Sequence, residues 1–173
     1  MRHINVVLAT MASCITGAVF AADATLNFTG NIIVPTCTVA SGSVNQTITI
    51  PQAKVADFAA VGSTQQATAF NISLTSCAPS TNVSMTVSGS PAASGTGVLA
   101  NTGPAAQVGI QLLKASAAGA TTGTAVTLGA LTALGTVDAT NAMTIPMVAQ
   151  YYRLGAMTAG AVAAVATVNF TYN

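Results

Sequence analysis

Residues 160–173 read GAVAAVATVNFTYN, and they alternate to the end of the chain. Gly160, Val162, Ala164, Ala166, Val168, Phe170 and Tyr172 are small or apolar. The set between them, Ala161, Ala163, Val165, Thr167, Asn169 and Thr171, turns polar towards the terminus. Successive side chains of a β-strand leave opposite faces, so a period of two predicts a strand with one buried face. The alternation reaches the penultimate residue, so the chain finishes inside a sheet and another strand must pair with it. Read alone, the segment is the ordinary last strand of a sandwich.

Working back from it, the same alternation recurs between turn residues. Leu26, Phe28, Gly30 and Ile32 alternate with Asn27, Thr29 and Asn31. Ile48 and Ile50 alternate in QTITIP up to Pro51, and Phe70, Ile72 and Leu74 alternate in FNISLTSC up to Cys77. Val83, Met85 and Val87 follow, then VGIQLLKAS (108–116), TAVTLG (124–129) and TIPMVAQYYRL (144–154). Connectors rich in Gly, Ser, Pro and Ala lie at 89–103 and 115–123, and 53–61 suits a short helical turn with Val55 and Phe58 inward. Tyr151 and Tyr152 are adjacent, so one strand cannot bury both. About seven strands with two early cysteines form an immunoglobulin-like sandwich pattern.

The beginning of the chain reads as an export signal over 1–21: Arg2 and His3, an apolar run, then Val19 and Ala21 before a mature start at Ala22. Thr10, Ser13, Thr16 and Gly17 make the run too weak for a membrane anchor, and Cys14 reads as a residue of the signal core. The mature chain keeps Cys37 and Cys77, and an even pair in an exported protein reads as a disulfide. A metal or redox pair would want CxxC spacing or histidine partners.

Mature charges balance, with Lys54, Lys114 and Arg153 against Asp23, Asp57 and Asp138. The lack of a basic patch argues against nucleic acid, and near-neutrality suits a surface that packs against copies of itself. Catalysis is disfavoured, because the mature chain has neither His nor Glu to serve as a base. Asp57 and Asp138 lie in unlike contexts, and no metal cluster or phosphate-binding glycine loop can be assembled, so no catalytic residue, metal or cofactor is expected. Asn-x-Ser/Thr triplets at Asn27, Asn45, Asn71, Asn82 and Asn169 are ordinary in a chain so rich in Ser and Thr, and are set aside as glycosylation sites.

Over its mature length the chain resembles the major-subunit family of chaperone–usher pili, the type of type 1 and P pili. The marks are LNFTGNIIVPTCTV with Gly30 and Cys37, ITIP with Phe58 and Gly62, and FNISLTSC closing on Cys77. They continue with VGIQLL, Tyr151-Tyr152 before AMTAG, Gly160 and the penultimate Tyr172. The resemblance implies an all-β, incomplete immunoglobulin-like sandwich completed by a donor strand from a neighbouring subunit. It implies a donor extension over 22–33, with Ala24, Leu26, Phe28, Gly30 and Ile32 inserting, and a pilin domain over 34–173. The terminal alternation from Gly160 to Tyr172 would be the strand that receives the donor and, before assembly, a periplasmic chaperone. The implied partners are other pilin subunits, most simply as a homopolymer, with the chaperone and an outer-membrane usher but no direct membrane insertion. The implied destination is the cell surface, by way of the periplasm. Without the resemblance, the local pattern of Leu26, Phe28 and Ile32 favours the first strand of the chain's own sandwich, and Gly30 reads as a bulge or a close approach. Two further readings stand beside the shaft subunit: a minor adaptor pilin, and a self-contained secreted immunoglobulin-like binding module.

Overall fold

The computed structural model describes residues 26–31 and 36–173. The chain divides into two units, Met1–Ile32 and Ile33–Asn173. Of the first, Leu26–Asn31 carry no regular structure, and Leu26 and Phe28 are 74% and 89% exposed. The segment 1–21 expected to be an export signal, Ala24 and Ile32 lie outside the described residues.

The second unit is a two-sheet antiparallel sandwich. Its strands are β1 (Thr38–Val39), β2 (Thr64–Thr75), β3 (Asn82–Gly89), β4 (Val98–Ala100), β5 (Val108–Ala115), β6 (Gly123–Ala125), β7 (Leu131–Thr136), β8 (Met143–Arg153) and β9 (Ala166–Tyr172). One sheet runs β1-β2-β8-β5-β4, with β6 continuing along β5 beyond β4. The other runs β7-β3-β9. The inward faces follow from the sequence period. Ile72 and Leu74 of β2, Val83, Met85 and Val87 of β3, Leu112 of β5 and Ile145 and Met147 of β8 form one buried core. Each such side chain removed from water contributes about 1.5–3 kcal/mol. On the outer face of the larger sheet, Leu113, Ala115 and Val148 form a smaller cluster with Ala67, Ala120 and Ala125. Cys37 and Cys77 are joined as a disulfide with Cα atoms 4.2 Å apart, beside the Thr38–Thr75 rung of β1 and β2.

Several sequence expectations are corrected. Ile48 and Ile50 lie in an extended segment that is not a strand; both are half-buried against the core. The turn at 53–61 is a single 3-10 turn, Val55–Asp57, with Phe58 buried but Val55 exposed. The strand expected at 124–129 ends at Ala125, and the terminal strand begins at Ala166 rather than Gly160. The connector 89–103 contains β4, and β1 and β7 lie where no strand was expected; the described residues hold nine strands. All three are short or rich in Ala, Thr and Gly, so they carry little apolar alternation.

Candidate functional site: the open edge of β9

β9 is the last strand of its sheet, and β3 is its one strand partner among the described residues. Asn82 and Asn173 exchange both backbone bonds, at 2.8 and 3.0 Å. In an antiparallel ladder such bonded pairs alternate with unbonded ones. Counting along the register, Thr171, Asn169 and Thr167 turn their backbone groups to Ser84, Thr86 and Ser88. Ala166, Val168, Phe170 and Tyr172 therefore turn their N–H and C=O groups to the open edge. These same residues point inward, opposite Gly89, Val87, Met85 and Val83 of β3.

Val83, Met85 and Val87 of β3 are fully buried, whereas every inward residue of β9 is only half-buried. Ala164, Ala166, Val168, Phe170 and Tyr172 all pack on the core with one flank uncovered. The alternation continues upstream, with Val162 half-buried and Gly160, Ala161, Ala163 and Val165 exposed. Partial burial raises the Tyr172 hydroxyl above its ordinary pKa by desolvating the phenolate.

The segment 44–54, free of turns from Gln46 to Lys54, supplies another wall of this region. Ile48 and Ile50 pack on the same core, and the Tyr151 hydroxyl donates to the Ile50 carbonyl at 3.5 Å. Among the described residues, no backbone–backbone bond ties 45–53 to a strand. Where 52–58 faces 157–162, the walls flank an open groove of about 390 Å³ lined by Lys54, Phe58, Tyr151, Met157, Gly160 and Val162, among others. The Arg153 guanidinium fixes that end, donating to the Phe58 carbonyl at 2.8 Å and the Gly155 carbonyl at 2.9 Å. Gly160 allows the close approach: a Cβ there would stand 2.8 Å from the Ala105 nitrogen.

The residues from Gly160 to Tyr172 singled out by alternation thus lie along one line, although the segment before Ala166 is not a strand. Leu26, Phe28 and Gly30 belong to the first unit and carry no strand. Asp57 accepts from the Lys54 backbone N–H, and Asp138 accepts from the Thr140 N–H and hydroxyl, so both carboxylates serve local turns. The Thr140 bonds hold the Asp138 carboxyl below its ordinary pKa. Sequence reasoning missed the wall at 44–54, where two isoleucines suggested a paired strand. It also missed Asn101, whose only signal is the turn-forming run Asn101-Thr102-Gly103-Pro104.

A sandwich whose smaller sheet ends in a strand with one open edge above a half-covered core defines the pilin class of immunoglobulin-like domains. The fimbrial protein family model matches residues 26–173, and the chain belongs to that family. It is 35% identical to the type-1 fimbrial protein A chain of Escherichia coli K12, across 96% of this chain and 95% of that one. It is also 35% identical to a type 1 fimbrial subunit of Klebsiella pneumoniae, across 86% and 82%. Among solved structures, the P pilus rod subunit PapA superposes with a TM-score of 0.64 at 20% identity, covering 79% of this chain and 99% of that one. A subunit of a chaperone–usher pilus gives 0.66 at 19%, covering 91% and 100%; at these identities the likeness concerns the fold. The chain is accordingly a structural subunit of fimbriae, a family exported to the cell surface whose members polymerise with one another. No helix among the described residues is long and apolar enough to cross a membrane.

Proposed function

We propose that the chain polymerises by donor-strand exchange, with the edge Gly160–Tyr172 of one subunit receiving residues 22–33 of the next. The observation that carries this reading is the coincidence on β9 of open backbone groups and half-buried inward side chains. An added strand would satisfy both at once. Strand addition, of which chaperone–pilin complementation is a recognised instance, takes its affinity from backbone bonds and its specificity from alternate side chains. Ala24, Leu26, Phe28, Gly30 and Ile32 supply such an alternating set. Before assembly the same edge would be a hazard for unwanted pairing, which supports a periplasmic chaperone as its first occupant and an usher as the exchange site. The chain carries both an extension and an edge, which suits a shaft subunit.

The test compares mature chain beginning at Ala22 with chain beginning at Val34. Full mature chain should polymerise over hours, while the truncate should stay monomeric and take up a synthetic peptide of residues 22–33. A full chain that remains a stable monomer, beside a truncate that loses its fold, would overturn the reading. The extension would then be the first strand of its own domain.

A further inference from the structure

β3 stops accompanying the terminal strand at Gly89, because the chain there crosses to the other sheet. Ala92 N–H donates to the Val98 carbonyl and Ala100 N–H to the Ser90 carbonyl, each at 2.8 Å. Upstream of Ala166 the terminal segment has no strand partner among the described residues. It nevertheless keeps its extended alternation. What holds it is the loop that follows β4.

The Asn101 side chain is the centre of that hold. Its Oδ1 accepts from Ala163 N–H and Gly103 N–H, both at 2.8 Å. Its Nδ2 donates to the carbonyls of Ala105 at 2.7 Å and Gly103 at 3.2 Å. Two acceptor sites and two amide hydrogens are all such a side chain offers, so its capacity is full. The loop thus shaped returns Thr102 N–H to the Ala163 carbonyl at 2.8 Å and Ala105 N–H to the Ala161 carbonyl at 3.2 Å. Ala163 has both backbone groups occupied on the side that, further along, β9 turns to β3. Val162 and Ala164 are left facing the open edge, in phase with Ala166.

We propose that Asn101 is a positioning residue that stands in for the missing length of β3. It carries the receiving edge upstream from Ala166 to Ala164 and Val162, and so sets how long a donor strand the subunit can engage. The inference rests on the donor-strand reading and adds a determinant of donor length to it. Without the Asn101 amide, the edge would end where β3 ends, and one end of the donor would go unpaired.

The experiment follows release of labelled peptides from mature chain and from Asn101→Ala, each folded in the presence of excess peptide. The peptides are residues 22–33, 26–33 and 22–29, and amide hydrogen exchange is read on the same complexes. In the wild-type chain, trimming the end that lies against 162–164 should speed release at least about tenfold, as unmade backbone bonds would. In Asn101→Ala the full peptide should leave about as fast as the trimmed one, and that trimming should have no further effect. Amides of residues 162–164 should exchange faster, while those of Thr167, Asn169 and Thr171 keep their protection. That pattern separates positioning from general loosening. If Asn101→Ala does not fold, Asn101→Leu carries the same measurement, because it keeps the bulk of the side chain and removes both the acceptor bonds and the Nδ2 donations. Unchanged dependence on peptide length in the folded variant overturns the role of Asn101 alone. No peptide uptake by the wild-type chain overturns the donor-strand reading and this role with it.

Discussion

The alternation of bonded and open positions along β9 makes a prediction about proline that distinguishes adjacent parities. Ala166 has an open-edge N–H, so Ala166→Pro removes no bond to β3. Proline is tolerated on an edge strand where its nitrogen faces away from the ladder. Asn169 N–H is directed at Thr86 of β3, so Asn169→Pro deletes a ladder bond and leaves a half-buried carbonyl without its donor. That orphaning costs about 1–3 kcal/mol, whereas Ala166→Pro should change the donor-free chain by less than about 1 kcal/mol. With a donor strand in place the ranking changes. Ala166→Pro forfeits one inter-subunit bond, a net of about 0.5–1.5 kcal/mol. Its ring also intrudes on a strand that must approach to about 4.8 Å. Peptide 22–33 should therefore leave Ala166→Pro at least about tenfold faster than wild type. Thermal unfolding of donor-free chain and release of labelled peptide measure the two effects separately. Equal loss of donor-free stability in Ala166→Pro and Asn169→Pro, or unchanged peptide release from Ala166→Pro, would refute this assignment of open and bonded positions.

Other perturbations test other links of the argument. Replacing both Cys37 and Cys77 by Ala reopens a loop with a sequence separation of 40, which should cost about 4 kcal/mol in the chain-entropy account. At about 2–4 °C per kcal/mol for a domain of this size, the melting temperature of the peptide-bound chain should fall by roughly 8–16 °C; a drop under about 3 °C would refute it. Gly160→Val places side-chain atoms against Ala105, whose nitrogen would lie 2.8 Å from the new Cβ, and should lower stability and accelerate exchange of the 160–164 amides; unchanged exchange would contradict the packing. Tyr172 has its folded pKa raised by desolvation, so its contribution is whole below the ordinary tyrosine value of about 10 and is lost as pH rises through the folded value. Wild-type chain should therefore lose stability above about pH 10 more steeply than Tyr172→Phe, and equal slopes would exclude that origin.

How far the sequence disclosed this arrangement depended on how far side-chain periodicity reports backbone pairing. The inward rows of β2 from Phe70, β3, β5, β8 and β9 were legible because they repeat apolar residues at alternate positions, which is what a half-buried sheet selects. The first half of β2, residues 64–69, carries no such row and was not legible as strand. β7 was not legible: Leu131-Thr132-Ala133-Leu134-Gly135-Thr136 lies on an exposed edge, with Leu131 63% exposed, so its composition carries weak alternation. β4 was hidden because three residues cannot show a period inside a glycine- and serine-rich connector. The opposite error arose at Ile48 and Ile50. Their alternation records burial against the core, but burial does not require a hydrogen-bonded neighbour. The start of the terminal strand was misplaced for the same reason. From Gly160 to Val165 the side chains alternate as on a strand, while a loop and the amide of Asn101 take the place of a ladder.

That last discrepancy bears on how the receiving edge works. On an antiparallel edge strand, the residues that turn side chains inward are either those bonded to the inner neighbour or those open to the outside, as the direction of the strand and the edge it occupies dictate for L-residues. Here the inward row is the open row throughout: Val162, Ala164, Ala166, Val168, Phe170 and Tyr172. An incoming strand therefore meets its backbone partners and the uncovered core at the same residues. A slip of one residue by the donor would turn its apolar row to solvent as it misaligned the bonds. Register is thus enforced twice by one feature of the fold. Up to Gly89 that feature is held by β3. Beyond it, where the phase would otherwise be free to drift, it is held at Ala163, whose N–H is taken by the Asn101 side chain and whose carbonyl is taken by Thr102 of the same loop.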